Sequence, residues 1–211
     1  MKLTRYPQSC LLIEYKDTRI VIDPGDDYVS AGYGKETLGK LDAVLYTHQH
    51  GDHYDSNLCE QLILEDVAVY ANASTAELIG SDKCNVVQND QTFNIGPLQI
   101  RAIDLPHCLL PDGTGGPQNT GYVVEGTLFH PGDGKELEGL KVNNIALPIN
   151  GPDISMLDAF NFAKQVRAKI AIPIHYDKLG GNPRVYAEFA ERLNMSFEMI
   201  VLENGESTEL S

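Results

Sequence analysis

No apolar run in the 211 residues approaches the length of a membrane-spanning helix or of a signal-peptide core; the stretch that follows Lys2 and Arg5 extends only over 10–13. A cytoplasmic chain with no membrane partner is expected. Cysteine is almost as scarce. Cys10, Cys59, Cys84 and Cys108 show no CxxC spacing, and a chain of this length buries enough apolar surface to fold without cross-links or a structural zinc. Reduced thiols follow. Positive charge is short as well: 16 Lys and Arg stand against 30 Asp and Glu, a formal net charge of −14. A nucleic-acid backbone is normally gripped by a basic surface, so small-molecule chemistry is expected and no nucleic-acid partner. Finally, the Gly-rich run Asp112-Gly113-Thr114-Gly115-Gly116 lacks the Lys-Ser or Lys-Thr that completes a phosphate loop. It reads as the rim of a pocket.

What the chain does have is a regular supply of short, β-branched runs, at 11–13, 19–23, 43–46, 67–70, 98–103, 121–124, 145–149, 170–174 and 199–202. These read as strands. Helical spacing puts Ala159, Phe162, Ala163 and Val166 on one face, and Val185, Phe189 and Leu193 on another. A third helix is read at 56–64, carrying Leu58 and Leu62, and Asn72 or Ser74 can cap a fourth through Ile79. Strands interleaved with helices predict a layered α/β fold in one domain over 1–211, its second half loosely echoing the first. The Gly- and Pro-rich segments 24–39 and 110–117 read as surface loops that shape a pocket.

The most informative stretch is His48-Gln49-His50-Gly51-Asp52-His53, directly after the strand at 43–46. Side-chain alternation sends His48 and His50 to one side, and a turn at Gly51 brings Asp52 and His53 around a neighbouring point. Imidazole nitrogen with carboxylate oxygen suits zinc, iron or manganese, whereas calcium asks for an oxygen cage. The other three of the six histidines, His107, His130 and His175, each end or follow a strand, and Asp133 lies just beyond one in His-Pro-Gly-Asp. Strand ends along one sheet edge are where α/β folds assemble their sites.

On these residues, from Ile22-Asp23-Pro24-Gly25 to Ile174-His175-Tyr176, nearly the whole chain resembles the metallo-β-lactamase superfamily. The resemblance implies a four-layer αββα sandwich with two mixed β-sheets and a dinuclear metal site. His48, His50 and His107 would hold one divalent ion and Asp52, His53 and His175 the other, with Asp133 and a hydroxide between them. Two ions per chain are thus implied, zinc first, with manganese or iron as alternatives. Asp23 would orient a ligating histidine. Leu147-Pro148-Ile149-Asn150-Gly151, Asp158-Ala159 and Pro173-Ile174-His175-Tyr176 are similar to the branch of small hydrolases that contains the ascorbate-6-phosphate lactonases. That branch often carries His-Ser before its first long strand, where this chain has Gln8-Ser9.

The expected activity is hydrolysis of a lactone, ester or phosphodiester in a small molecule, with Asp52 orienting the attacking hydroxide and passing a proton to the leaving group. A nuclease, a mononuclear iron sulfur-dioxygenase and a non-catalytic metal-binding protein are the competing readings. A diiron oxygen-reducing enzyme would have Glu where this chain has His50. His130 is read as backing the ligands or packing in the core, and Cys108 as a buried structural thiol. Tyr176, Lys178 and Arg184, close after the last ligand, are candidate substrate contacts, the two cations for an anionic substituent. Oligomeric state has no signature in the sequence.

Overall fold

The computed structural model describes residues 1–178 and 180–211. The first half of the chain runs β1 (Lys2–Arg5), β2 (Leu11–Tyr15), β3 (Thr18–Ile22), α1 (Asp26–Ser30), α2 (Lys35–Leu38), β4 (Ala43–Tyr46), α3 (Ser56–Leu64), β5 (Ala68–Ala71), α4 (Ala73–Ile79) and β6 (Asn85–Val86). The second runs β7 (Thr92–Ile95), β8 (Leu98–Asp104), β9 (Thr120–Val124), β10 (Leu128–His130), β11 (Asn144–Pro148), α5 (Met156–Gln165), β12 (Ile170–Ile174), α6 (Pro183–Arg192) and β13 (Glu198–Met199), with β14 (Ser207–Glu209) beyond it.

Alternation sorts each strand between two interiors. Along β3 and β4, Ile20, Ile22, Ala43 and Leu45 face one core while Val21, Val44 and Tyr46 face another. The first core lies between the sheets and takes Ile100, Tyr122, Ala146 and Ile172 from the opposite side. The second is covered by Tyr28, Leu38, Leu58 and Leu62 from α1, α2 and α3. A third seats Ala159, Phe162 and Ala163 of α5 and Ala190 of α6 on Phe129, Ile145 and Leu147. Strands apolar on both faces need cover on both, and three cores between four layers make the expected αββα sandwich with two mixed sheets.

The sheets share one plan. In the order β14-β1-β2-β3-β4-β5-β6 the first three pairings are antiparallel and the last three parallel. The order β7-β8-β9-β10-β11-β12-β13 repeats this. β1 and β8, β3 and β10, β4 and β11, and β5 and β12 are therefore counterparts, and β14 takes in the first sheet the place β7 holds in the second. The turns echo one another too. Asp23-Pro24-Gly25-Asp26 follows β3, and His130-Pro131-Gly132-Asp133 closes β10; Pro7-Gln8 follows β1, and Pro106-His107 follows β8.

Two sequence expectations change. The segment 24–39, read as loop, contains α1 and α2, whose five and four residues are too few to show a period and which are held by buried Tyr28 and Leu38. The strand read at 199–202 is confined to Glu198–Met199. β1, β6, β7 and β14 also appear, short and carrying Lys, Thr, Asn, Ser and Glu, at or beside the sheet edges. Among the described residues no helix is long and apolar enough to cross a membrane.

Candidate metal centre

The end of β4 is tied to the turn after β3 before any ligand is placed. Asp23, fully buried with φ 52°, accepts from Thr47 N at 2.8 Å and from Thr47 Oγ1 at 2.6 Å. Thr47 O in turn accepts from Thr120 N and from the side chain of Asn72, the N-cap of α4. Beyond this clamp the chain turns tightly: His50 O accepts from the backbone N–H groups of His53 and Tyr54, each at 2.9 Å. Gly25 packs so closely beneath that a Cβ there would overlap the backbone of Asp52 and His53. From the second sheet come His107 after β8, Asp133 after β10 and His175 at the end of β12, the last with φ 59°. Buried Asn119 fixes the Asp133 turn, accepting from Asp133 N at 3.3 Å and donating to Pro131 O at 2.9 Å.

Seven side chains converge. His48, His50, His107 and Asp133 form one group able to hold a metal ion, and Asp52, His53 and His175 another. His48 Nε2, His50 Nδ1 and His107 Nε2 are 3.2, 3.2 and 3.3 Å from one another. Nitrogens on a tetrahedral ion with bonds of about 2.0–2.1 Å lie about 3.3 Å apart. In the other group His175 Nε2 is 3.3 Å from Asp52 Oδ2 and from Asp133 Oδ2, and His53 Nε2 is 2.9 Å from Asp133 Oδ1.

Which nitrogen of each ring faces the centre is settled by what the other one meets. His53 Nδ1–H donates to Asp23 Oδ2 at 2.7 Å, His107 Nδ1–H to Cys108 O at 2.6 Å and His175 Nδ1–H to Asn150 O at 2.6 Å. Thr47 Oγ1, its proton committed to Asp23, accepts from His48 Nδ1–H at 3.1 Å. In its neutral form each of these four rings thus presents a lone pair at Nε2, the tautomer a metal requires. Among the described residues, His53 Nε2, His175 Nε2 and Asp133 Oδ1 are buried with no hydrogen-bond partner. Buried polar atoms are nearly always satisfied; these converge with nothing but one another, and the donor set fits a divalent metal.

The electrostatics divide the site in two. Burial, with neighbouring His53, holds His48 well below the ordinary imidazole range, and burial with His107 lowers His50. His53 and His175 move the other way: burial acts to lower them, but Asp133, joined by Asp23 at His53 and by Asp52 at His175, raises both. For Asp133 and Asp52 burial acts upward and is overcome by His175 and His53, leaving both carboxylates low and charged. A site with three charged acids against imidazoles that compete for protons is one that attracts cations.

The remaining residues fall in several places. His130 is buried behind the ligands, its Nε2–H donating to Ser9 O at 2.8 Å and its Nδ1 accepting from Gly132 N at 3.2 Å. Cys108 is buried in neither ligand group, and burial pushes its thiol up to about 12. Tyr176 is buried, its hydroxyl donating to Leu202 O and its ring under the Arg5 guanidinium. Lys178 stands half exposed near Asp26 and Asp27, while Arg184 pairs with Glu203 on an exposed surface, away from the ligands' hydrogen bonds. The Gly-rich rim is more than a rim: Gly116 lies against the His107 ring, and a Cβ there would overlap it. Sequence reasoning passed over Thr47 and Asn119, whose types are common in loops; Thr47 could have been suspected from its place between a strand and a histidine motif.

The family described as beta-lactamase superfamily domain matches residues 2–175. A UPF0173 protein of Pyrococcus furiosus is 30% identical, over 83% of this chain and 83% of its own length. A UPF0173 metal-dependent hydrolase of Methanopyrus kandleri is 25% identical, over 99% of this chain and 100% of its own. Igni18, a metallo hydrolase from Ignicoccus hospitalis, has a TM-score of 0.78 at 20% identity, covering 100% of this chain and 99% of that one, a likeness of fold. The chain therefore belongs to the beta-lactamase superfamily and is a relative of its UPF0173 proteins.

Proposed function

We propose that this protein is a metal-dependent hydrolase that holds two divalent ions, zinc first, and cleaves a lactone, ester or phosphodiester bond in a small molecule. The observation that carries the reading is the convergence of four oriented Nε2 lone pairs, with His50 Nδ1, on the carboxylates of Asp133 and Asp52. Charge supports two ions over one. Asp23, Asp52 and Asp133 bring three negative charges to a buried site, so a single divalent ion leaves it with net negative charge, which burial disfavours. The hydrolase relatives agree with the reaction class, and the resemblance of 147–151 to lactonases puts lactones first among substrates.

Bound ions would supply Lewis acidity and a water acidified from its bulk value to about 7. Asp133 joins the two ligand groups, its Oδ2 lying 3.3 Å from both His107 Nε2 and His175 Nε2. Asp52, more exposed than Asp133, is the carboxylate placed to orient a nucleophilic water and to hand a proton to a leaving group. Lys178 meets Asp27 and Asp26 only at 3.5 and 3.7 Å, weak exposed pairings that an anionic substituent of the substrate can displace.

Metal analysis of protein purified without added metal, joined to a panel of lactone, phosphodiester and thioester substrates, tests this. Two equivalents of metal and turnover of a lactone or another ester are expected. Asp133→Ala should lose occupancy and activity together, and a variant that keeps both ions and normal turnover overturns the assignment. Lys178→Ala should raise KM for an anionic substrate and leave a neutral analogue unchanged; equal effects on both remove the role given to Lys178. Iron with oxygen-dependent turnover would replace the hydrolase by an oxidoreductase.

A further inference from the structure

Gln8 is the residue whose surroundings ask most for an explanation. It is 1% exposed, has φ 61°, and stands three residues past the end of β1, where the second sheet's plan puts the ligand His107 three residues past β8. Both follow a proline. An extended side chain in the left-handed region is uncommon and persists where its surroundings over-determine it.

They do so here at every polar atom. Gln8 N donates to Asp177 Oδ2 at 2.7 Å, and Gln8 O accepts from His175 N at 2.9 Å. Gln8 Oε1 accepts from Lys178 N at 3.2 Å. Because a backbone N–H can only donate, that contact fixes the amide's orientation, and Nε2 is the group left to face Asp52 Oδ2 at 3.1 Å. The accepting oxygen is the one that lies 3.3 Å from His175 Nε2. The assembly is anchored in turn by buried Arg5, whose guanidinium pairs with the same Asp177 oxygen.

We infer that Gln8 is a positioning residue for the second metal site: it holds Asp52 by one N–H and the His175 backbone by its carbonyl, so that the two ligands keep a fixed separation. It is the first sheet's counterpart of His107, acting through a ligand where His107 is one. The inference rests on the two-metal reading above. An amide serves because it donates and accepts at once without carrying charge, so it spans the gap between Lys178 N–H and the Asp52 carboxylate with both ends satisfied.

Zinc competition against a chromophoric chelator, with the spectrum of the cobalt-substituted protein, tests this in full-length variants. Gln8→Asn is the informative change, since asparagine tolerates the left-handed conformation at least as well as glutamine yet is one methylene too short to reach Asp52. The second zinc should bind about tenfold or more weakly, the range for residues that orient ligands. The first zinc and the thermal midpoint of the metal-free protein should be unchanged, and one of the two cobalt sites should change its absorption. Gln8→Glu, which sets a carboxylate against a carboxylate, should weaken the second site further. Asp177→Asn, which leaves Gln8 N and Arg5 less well held, should act in the same direction more mildly. Two zincs held as tightly by Gln8→Asn as by the parent overturn the inference, as does an equal loss at both sites with a lower midpoint, which marks a purely structural residue. A parent protein that takes up no second zinc instead overturns the two-metal reading, and this inference with it.

Discussion

Glycine at position 116 illustrates how little room the ligands have. Its missing side chain is the space that the His107 imidazole occupies, while the loop around it, folded by Asp112 onto Thr114 and by the Leu109–Gly115 bridge, lies at the surface. A methyl group there can be absorbed by the loop at a cost under about 1 kcal/mol, but only by moving the ring. On the two-metal proposal, Gly116→Ala should therefore weaken zinc at His48, His50 and His107 by about tenfold with almost no shift in thermal midpoint. Unchanged zinc affinity in this variant would remove the role given to Gly116. The candidate metal-binding residues, which the structure brings together, were legible in the sequence because histidine is rare in it and four ligand-type residues crowd into 48–53. Their supports were not, for a physical reason. His107 and His175 are oriented by the carbonyls of Cys108 and Asn150, and a backbone oxygen has no residue type; Thr47 and Asn119 act through positions that only the folded chain brings together.

At the level of elements, α3 joins a cap to a buried thiol. Asp55 accepts from Leu58 N at its start, and Leu58, Cys59 and Leu62 turn inward. Burial, opposed by contact with Tyr46, pushes the Cys59 thiol up to about 11, and burial takes Cys84 nearby to about 12. The fold thus binds these protons more tightly than the unfolded chain, whose thiols ionise near their ordinary 9.0. That contribution to stability is complete below about pH 9 and is lost as pH rises through 11 toward 12, on the order of 3 kcal/mol for Cys59. Urea midpoints at pH 8 and pH 10.5 should fall further for the parent than for Cys59→Ala; equal drops would mean that the thiol takes no part. Helices such as α3 and α5, long enough to show a period, were readable in advance. α1 and α2 were not, because at five and four residues they are made by the packing of Tyr28 and Leu38 rather than by local preference.

For the whole molecule, the shared plan of the two sheets decides which residues meet. Counterpart strand ends deliver Asp23 with His130, Gln8 with His107 and Asn72 with His175 to one region; the layered α/β plan was readable from interleaved strands and helices, and the four-layer sandwich from the family resemblance. The exchange of the last strand was not, since Ser207–Glu209 has neither apolar character nor length. β14 nonetheless pairs Ser207 with Thr4 and Glu209 with Lys2, and Leu210 beside it is buried between the sheets. Deleting 207–211 should cost about 2–5 kcal/mol for the loss of Leu210 and leave β1 as an open edge that favours aggregation. Denaturant midpoints and light scattering check both, and a truncated protein as stable and monodisperse as the parent would refute them.

The pairing of β14 with β1 also sets a clock. On a ribosome adding roughly 5–20 residues per second, the strands β1 to β6 emerge first, and β1 then waits on the order of ten seconds for its outer neighbour. His48, His50, Asp52 and His53 emerge early in that interval, whereas His107, Asp133 and His175 arrive through it, so the first group is whole only with Asp133 and the second only with His175. Both candidate metal groups are thus whole before β14 closes the first sheet, and the nascent chain must keep one bare sheet edge, and until His175 one half-built cluster of histidines, from finding other partners.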